Sequence, residues 1–258
     1  EVIKLAVADS GSLVASVAAD NTLRLWRTDS GEPLPYIVDV AGLPINRVLI
    51  SPDAQSVAAL SASQVSIMDT TNGNLLAEFG SATTFTDMTF AGSDQLYIGS
   101  DDGVLQLLSR GNDGQWNIRQ VWQGTESIRL LAASPKTDFL ILVDQNNLAS
   151  QFLLAEGRIG DSTLQLPSTV HEVHFDRFGS RSYFRTARWV HRATSSMLGL
   201  HWTDVVLTPP WLSGAGLVHG DGGAAASGAL LHHDGRDLRR QTRRRDRHRQ
   251  FRRAEGSA

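Results

Sequence analysis

A period of about forty residues constrains this chain more than any other feature. Short polar turns at Asp9-Ser10-Gly11, Pro52-Asp53-Ala54, Gly92-Ser93-Asp94, Pro135-Lys136-Thr137 and Arg177-Phe178-Gly179 each follow an apolar run. Ser10, Pro52, Gly92, Pro135 and Arg177 are spaced by 42, 40, 43 and 42 residues. The ends of a later apolar run, Trp26, Met68, Leu108, Phe152 and His191, step by 42, 40, 44 and 39. Two independent markers with one period imply a small unit that cannot bury its own faces and becomes stable only in a row.

Inside each unit the alternation is that of strands. In Thr22-Leu23-Arg24-Leu25-Trp26 the two leucines share one face, and Val65-Ser66-Ile67 and Leu105-Gln106-Leu107 repeat the placement. Residues able to take positive φ recur between the runs. Asp20-Asn21, Asp101-Asp102-Gly103 and Asp144-Gln145-Asn146-Asn147 mark one hairpin, and Asp29-Ser30-Gly31, Thr71-Asn72-Gly73 and Asn112-Asp113-Gly114 mark the next. Each unit therefore reads as four short antiparallel strands.

Three segments carry a family resemblance: Ala19-Asp20-Asn21-Thr22-Leu23-Arg24-Leu25-Trp26, Met68-Asp69-Thr70-Thr71-Asn72-Gly73-Asn74-Leu75-Leu76 and Gly99-Ser100-Asp101-Asp102-Gly103-Val104-Leu105-Gln106-Leu107. They resemble the WD-repeat β-propeller family, whose third strand ends in Trp-Asp after an Asp in the preceding turn. The chain departs from that pattern where Arg27 follows Trp26 and Met68 precedes Asp69, and the Gly-His pair is absent. The resemblance implies an all-β propeller of five blades with degenerate repeats held mainly by apolar packing. The units fall at about 1-42, 43-83, 84-124, 125-168 and 169-212. Because closed propellers have typically about 4–8 blades, and this family sits near the upper end, five units starting at Glu1 read as an incomplete ring of a longer protein.

After residue 212 the strand pattern stops. Residues 213-258 read as a low-complexity linker, Gly220 to Gly228, and an arginine-rich tail, either disordered or translated out of frame. The tail also splits the charge. Overall the chain carries 24 Lys+Arg against 27 Asp+Glu, a formal −3. Residues 236–258 hold ten arginines against Asp237, Asp246 and Glu255, a net +7, which leaves residues 1–235 at −10. The arginines are capable of neutralising phosphates, but an acidic folded part argues against nucleic acid as its partner.

Reactive constellations are scarce. The chain has no cysteine, which excludes disulfides, thiolate metal sites and a cysteine nucleophile. It has no phosphate-binding glycine loop and no Gly-x-Ser-x-Gly elbow; Gly214-Ala215-Gly216 alone is too short for a dinucleotide fingerprint. His171 and His174 lie three apart in a strand and point to opposite faces, so they do not share an ion, and His232-His233 fall in the linker. Asp101-Asp102 read as turn residues. Trp26 and Trp189 are expected between blades, whereas Trp116 and Trp122 flank an outer strand and fit either burial or exposure. The reading is thus a non-catalytic interaction or scaffold module that binds protein partners. It assigns no catalytic, cofactor or metal residues, requires no cofactor, and contains no membrane span. The alternatives are a propeller with a ligand or catalytic site at its channel, and the sensor domain of a larger kinase, protease or NTPase. Localisation is open: the lack of cysteine allows cytosol and periplasm equally, with a bacterial cytoplasm mildly favoured.

Overall fold

Alternating apolar residues between glycine and asparagine turns leave the chain few options beyond short antiparallel strands, and that is what forms. The computed structural model describes residues 1–34, 38–39, 44–136, 138–196, 199–207 and 230–231. The strands are β1 Val2–Val7, β2 Leu13–Ala18, β3 Thr22–Arg27, β4 Val38–Asp39, β5 Arg47–Ile50, β6 Ser56–Leu60, β7 Gln64–Asp69, β8 Leu75–Gly80, β9 Phe85–Phe90 and β10 Gln95–Ser100. They continue with β11 Val104–Arg110, β12 Trp116–Gln123, β13 Ile128–Ala133, β14 Phe139–Asp144, β15 Leu148–Leu153, β16 Arg158–Gln165, β17 Val170–Phe175, β18 Arg181–Thr186, β19 Trp189–Ser196, β20 Gly199–Leu207 and β21 Leu230–Leu231. No helix occurs among the described residues.

The strands form five antiparallel sheets in chain order, β1–β4, β5–β8, β9–β12, β13–β16 and β17–β21, which make blades one to five. The first strand of each blade neighbours the first strand of the next, which makes β1, β5, β9, β13 and β17 the inner strands of a propeller. The turns use the residues that tolerate positive φ: Asn21, Gly103 and Asn147 between the second and third strands, and Gly31, Gly73, Gly114 and Gly157 between the third and fourth. At Gly103, with φ of +80°, a Cβ would also sit 2.8 Å from the Glu126 carbonyl oxygen, so the turn demands glycine twice over.

Four apolar clusters fill the blade junctions. Leu13, Val17, Leu23 and Leu25 of blade one meet Val48, Ile50, Val57 and Met68 of blade two. Leu60, Val65 and Ile67 meet Met88, Phe90, Leu96 and Ile98. Tyr97, Leu105 and Leu107 meet Leu131, Leu140, Leu142 and Phe152. Phe139, Ile141 and Val143 meet Val170, Phe175 and Phe184. At each of these four junctions the back of one blade thus meets the front of its successor. Among the described residues no cluster joins blade five to blade one.

Two sequence expectations change, and one left open is decided. Trp26 lies on the front of blade one, half-buried rather than between blades, and its indole N–H donates to Ser16 Oγ at 2.7 Å. His191 is not the fifth counterpart of Trp26. Pairing of Val14 with Trp26 corresponds to pairing of Ser182 with Ala193, which places Ala193 at that position and His191 at that of Arg24. Trp116 is buried in the core between blades two and three, and Trp122 is half-buried against the next core. Within the segment read as linker and tail, Leu230 and Leu231 pair with Val206 and Val205 at the edge of blade five. The remaining residues from 208 onward, with Trp211, the linker glycines, His232, His233 and the ten arginines, lie outside the described residues.

Candidate functional site

The inner strands begin with a shared irregularity. In blades one, three, four and five the pairing of first and second strands slips by one residue at the same place, leaving Ile3, Thr86, Arg129 and His171 as bulge residues. A bulge re-aims one side chain out of the alternation, and here it does so at one end of the propeller. That end, the upper one, carries the hairpins between second and third strands and the connections from each outer strand to the next inner strand.

Polar side chains at this end are tied from blade to blade. Asp87 on β9 accepts the Leu131 N–H of β13 at 2.8 Å and pairs with Arg47 Nε of β5 at 2.9 Å, so one carboxylate joins three blades. Asp87 is buried, which pushes its carboxyl pKa up, while Arg47 and the Leu131 N–H pull it back. Thr86 Oγ1 donates to the Ile128 carbonyl, and toward the opposite end of the same two strands Thr89 Oγ1 accepts from the Ala133 N–H at 3.1 Å. Arg129 reaches the Val170 carbonyl of blade five and Asn147 Oδ1 at 2.8 Å. None of these groups stands out in the sequence as a site residue.

Above this layer the loops of blades three and four form a rim of amides and carboxylates fixed by their own hydrogen bonds. Glu126 accepts from Gln145 Nε2 at 2.6 Å and from Asn146 Nδ2 at 3.2 Å. Gln123 Nε2 donates to the carbonyls of Asp102 and Gly124, both at 2.9 Å, and Gln165 Nε2 donates to the Asn146 carbonyl at 2.9 Å. Asp101 accepts the Thr84 N–H at 3.1 Å, and Asp102 accepts from Ser100 and Val104. The aspartate pair is therefore engaged in turns. Gln123, Gln145, Asn146, Gln165 and Asp101 remain exposed.

Elsewhere, the chemistry is thinner. A shallow cleft of about 420 Å³ lies between blades three and four, lined by Gln95, Tyr97, Leu107 and Arg119, and burial raises the pKa of Tyr97. His171 is exposed at its bulge, whereas His174 lies on the back of blade five, 3.1 Å from Glu172. Glu172 also receives two hydrogen bonds from Arg185, at 2.8 and 2.7 Å, which lower its carboxyl pKa to about 2. Among the described residues no three His, Asp or Glu side chains are grouped to hold a metal ion, and no helix is long and apolar enough to cross a membrane.

The fold defines a five-bladed β-propeller. A structural comparison matches it to the β-propeller domain of Cps50 (Swd1) from Myceliophteria thermophila, with a TM-score of 0.67 and 9% identity over 81% of this chain and 75% of that one. No protein-family model and no curated protein matches the sequence. At that identity the likeness speaks for the fold alone.

Proposed function

We propose that the chain is a non-catalytic, WD-like protein-interaction module that presents the upper rim of blades three and four to a protein partner. The observation behind this reading is how the polar groups are used. Asp87, Arg47, Thr86, Arg129 and Asn147 are engaged in blade-to-blade bonds. Above them Gln123, Gln145, Asn146 and Gln165 are exposed yet already oriented. Donors and acceptors held in one geometry lose little entropy on docking, which suits recognition of a protein surface.

A photo-crosslinking residue at Gln145 tests the reading, with Asp161 on outer strand β16 as the control. Capture of a defined partner at position 145 and not at 161 is expected. Capture at 161 alone, or equal capture at both, refutes the assignment of the rim. A ligand-binding propeller is the second reading, favoured by the cleft beside Arg119. Saturable binding of a small molecule that Arg119→Ala abolishes would select it.

A further inference from the structure

The two ends of the blade row differ in chemistry. On the front of blade one, pairing places Leu5 beside Ser16 and Arg24, and Val7 beside Val14 and Trp26. The positions of Leu5 and Val7 are those of Val48 and Ile50 in blade two, Met88 and Phe90 in blade three, and Val173 and Phe175 in blade five. Those residues are packed under the back of the preceding blade. Leu5 is 66% exposed, Val7 60%, Val2 54% and Ile3 47%. Exposed aliphatic side chains gathered along one strand, with Leu5 and Val7 on the same sheet face, mark a contact face.

The back of blade five is the other end, and it is built differently. Its register rows are Glu172–Arg185–Val190 and His174–Tyr183–Arg192. The same rows are Lys4–Val17–Leu23 and Ala6–Ala15–Leu25 in blade one, and Leu130–Val143–Ala149 and Ala132–Ile141–Gln151 in blade four. Where those rows hold valine, leucine, isoleucine and alanine with one polar residue in each blade, Lys4 or Gln151, blade five holds a carboxylate in a bidentate pair with Arg185, a histidine and a second arginine. Covering these groups with an apolar sheet would strip their water and return no hydrogen bonds, a desolvation cost that apolar contact does not offset. Repeat arrays place such polar faces where stacking stops.

We propose that the front of blade one is a docking face for the apolar back of one further four-stranded blade of the same polypeptide, joined ahead of β1. The charged back of blade five bars a second copy of the chain from that face. The internal junctions identify the occupant. In each of them the covering surface is the apolar back of the blade that comes immediately before in chain order.

Because the chain lacks cysteine, Leu5→Cys offers one reporter, with Leu75→Cys on the exposed side of β8 as the reference. In the chain itself the thiol at position 5 should react with a thiol reagent as fast as the thiol at position 75 at every protein concentration. Slow, concentration-dependent labelling would show that a second copy already covers the face, and would overturn the proposal. Making the back of blade five apolar, by Glu172→Ala, His174→Ala, Arg185→Val and Arg192→Leu together, should drive head-to-tail association. Labelling at position 5 should then slow at least ~10-fold, and the mass in light scattering should rise. A variant that stays at the parent's mass with unchanged labelling refutes the role of the charged back. Fusing a copy of residues 44–83 ahead of Glu1 should protect the position-5 thiol at any dilution, and a fused copy of residues 169–207 should not. Equal protection by both copies, or by neither, refutes the stated occupant.

Discussion

Replacing Asp87 by alanine tests the blade-to-blade bonding directly. The carboxylate sits on β9, accepts the Leu131 N–H at 2.8 Å and pairs with Arg47 Nε at 2.9 Å. Asp87 is 2% exposed, whereas the Arg47 side chain is 39% exposed. Removing one partner of a buried pair costs about 3–5 kcal/mol, and a buried N–H left without an acceptor about 1–3 kcal/mol. The guanidinium of Arg47 keeps access to water, so the expected loss lies at the lower end, about 3 kcal/mol. Asp87→Asn retains an oxygen for Leu131 and forfeits only the charge. Because burial already raises the pKa of Asp87, a neutral group is tolerated there, and the loss should be about 1 kcal/mol.

The assay is urea unfolding at neutral pH, followed in parallel by tryptophan fluorescence and far-UV circular dichroism. Coincident transitions are required, since a row of repeats is able to unfold in parts. Asp87→Ala within about 0.5 kcal/mol of the parent would refute the reasoning, because surface changes alone stay in that range. Equal losses for the alanine and asparagine variants would show that the charge, not the Leu131 N–H, carries the effect.

Three further outcomes follow from the geometry. Glu172 is held at a pKa of about 2 by Arg185 and His174, below the usual carboxylate range, so its contribution is full above that range and fades as pH falls toward 2. Tm of the parent should therefore exceed that of Glu172→Gln above about pH 5 and converge with it near pH 2; a gap that widens with acid contradicts this. At Gly99 a Cβ would lie 2.5 Å from Ile128 Cγ2 and 2.9 Å from Ile128 Cβ, so Gly99→Ala should wedge blades three and four apart and cost about 1–3 kcal/mol in urea unfolding. Trp26→Phe and Ser16→Ala each remove the 2.7 Å indole bond and should cost about 0.5–1.5 kcal/mol, with the double variant losing less than the sum.

The sequence carried the architecture because its signals are local. Asn21, Gly103 and Gly114 sit where φ is positive, and Leu23, Leu25, Val65 and Ile67 alternate toward a core. The bulges were silent, since a slip in pairing depends on the partner strand and alters no residue type. Asp87 sits in Phe85-Thr86-Asp87-Met88-Thr89-Phe90, where alternation offers no hint that the carboxylate finds an arginine forty residues earlier. His191 misled as a repeat marker because the residue at that position of blade five is Ala193, too small to stand out as the end of an apolar run. The rim of Gln123, Gln145 and Gln165 was equally hidden, for it is assembled from three separate connections.

Polar residues thus serve two ends in this fold, and position decides which. Between blades, the buried Asp87 and the half-buried Thr86 have backbone partners from the neighbouring inner strand, so they hold the angle between blades at the cost of desolvation. On the outward back of blade five, Glu172 and Arg185 keep water on one side and leave the row uninviting to another apolar sheet. The angle between blades three and four in turn fixes where Glu126 of one connection meets Gln145 and Asn146 of the next hairpin. A change at Asp87 should therefore reach the rim through geometry, by moving β13 against β9, without touching any rim residue.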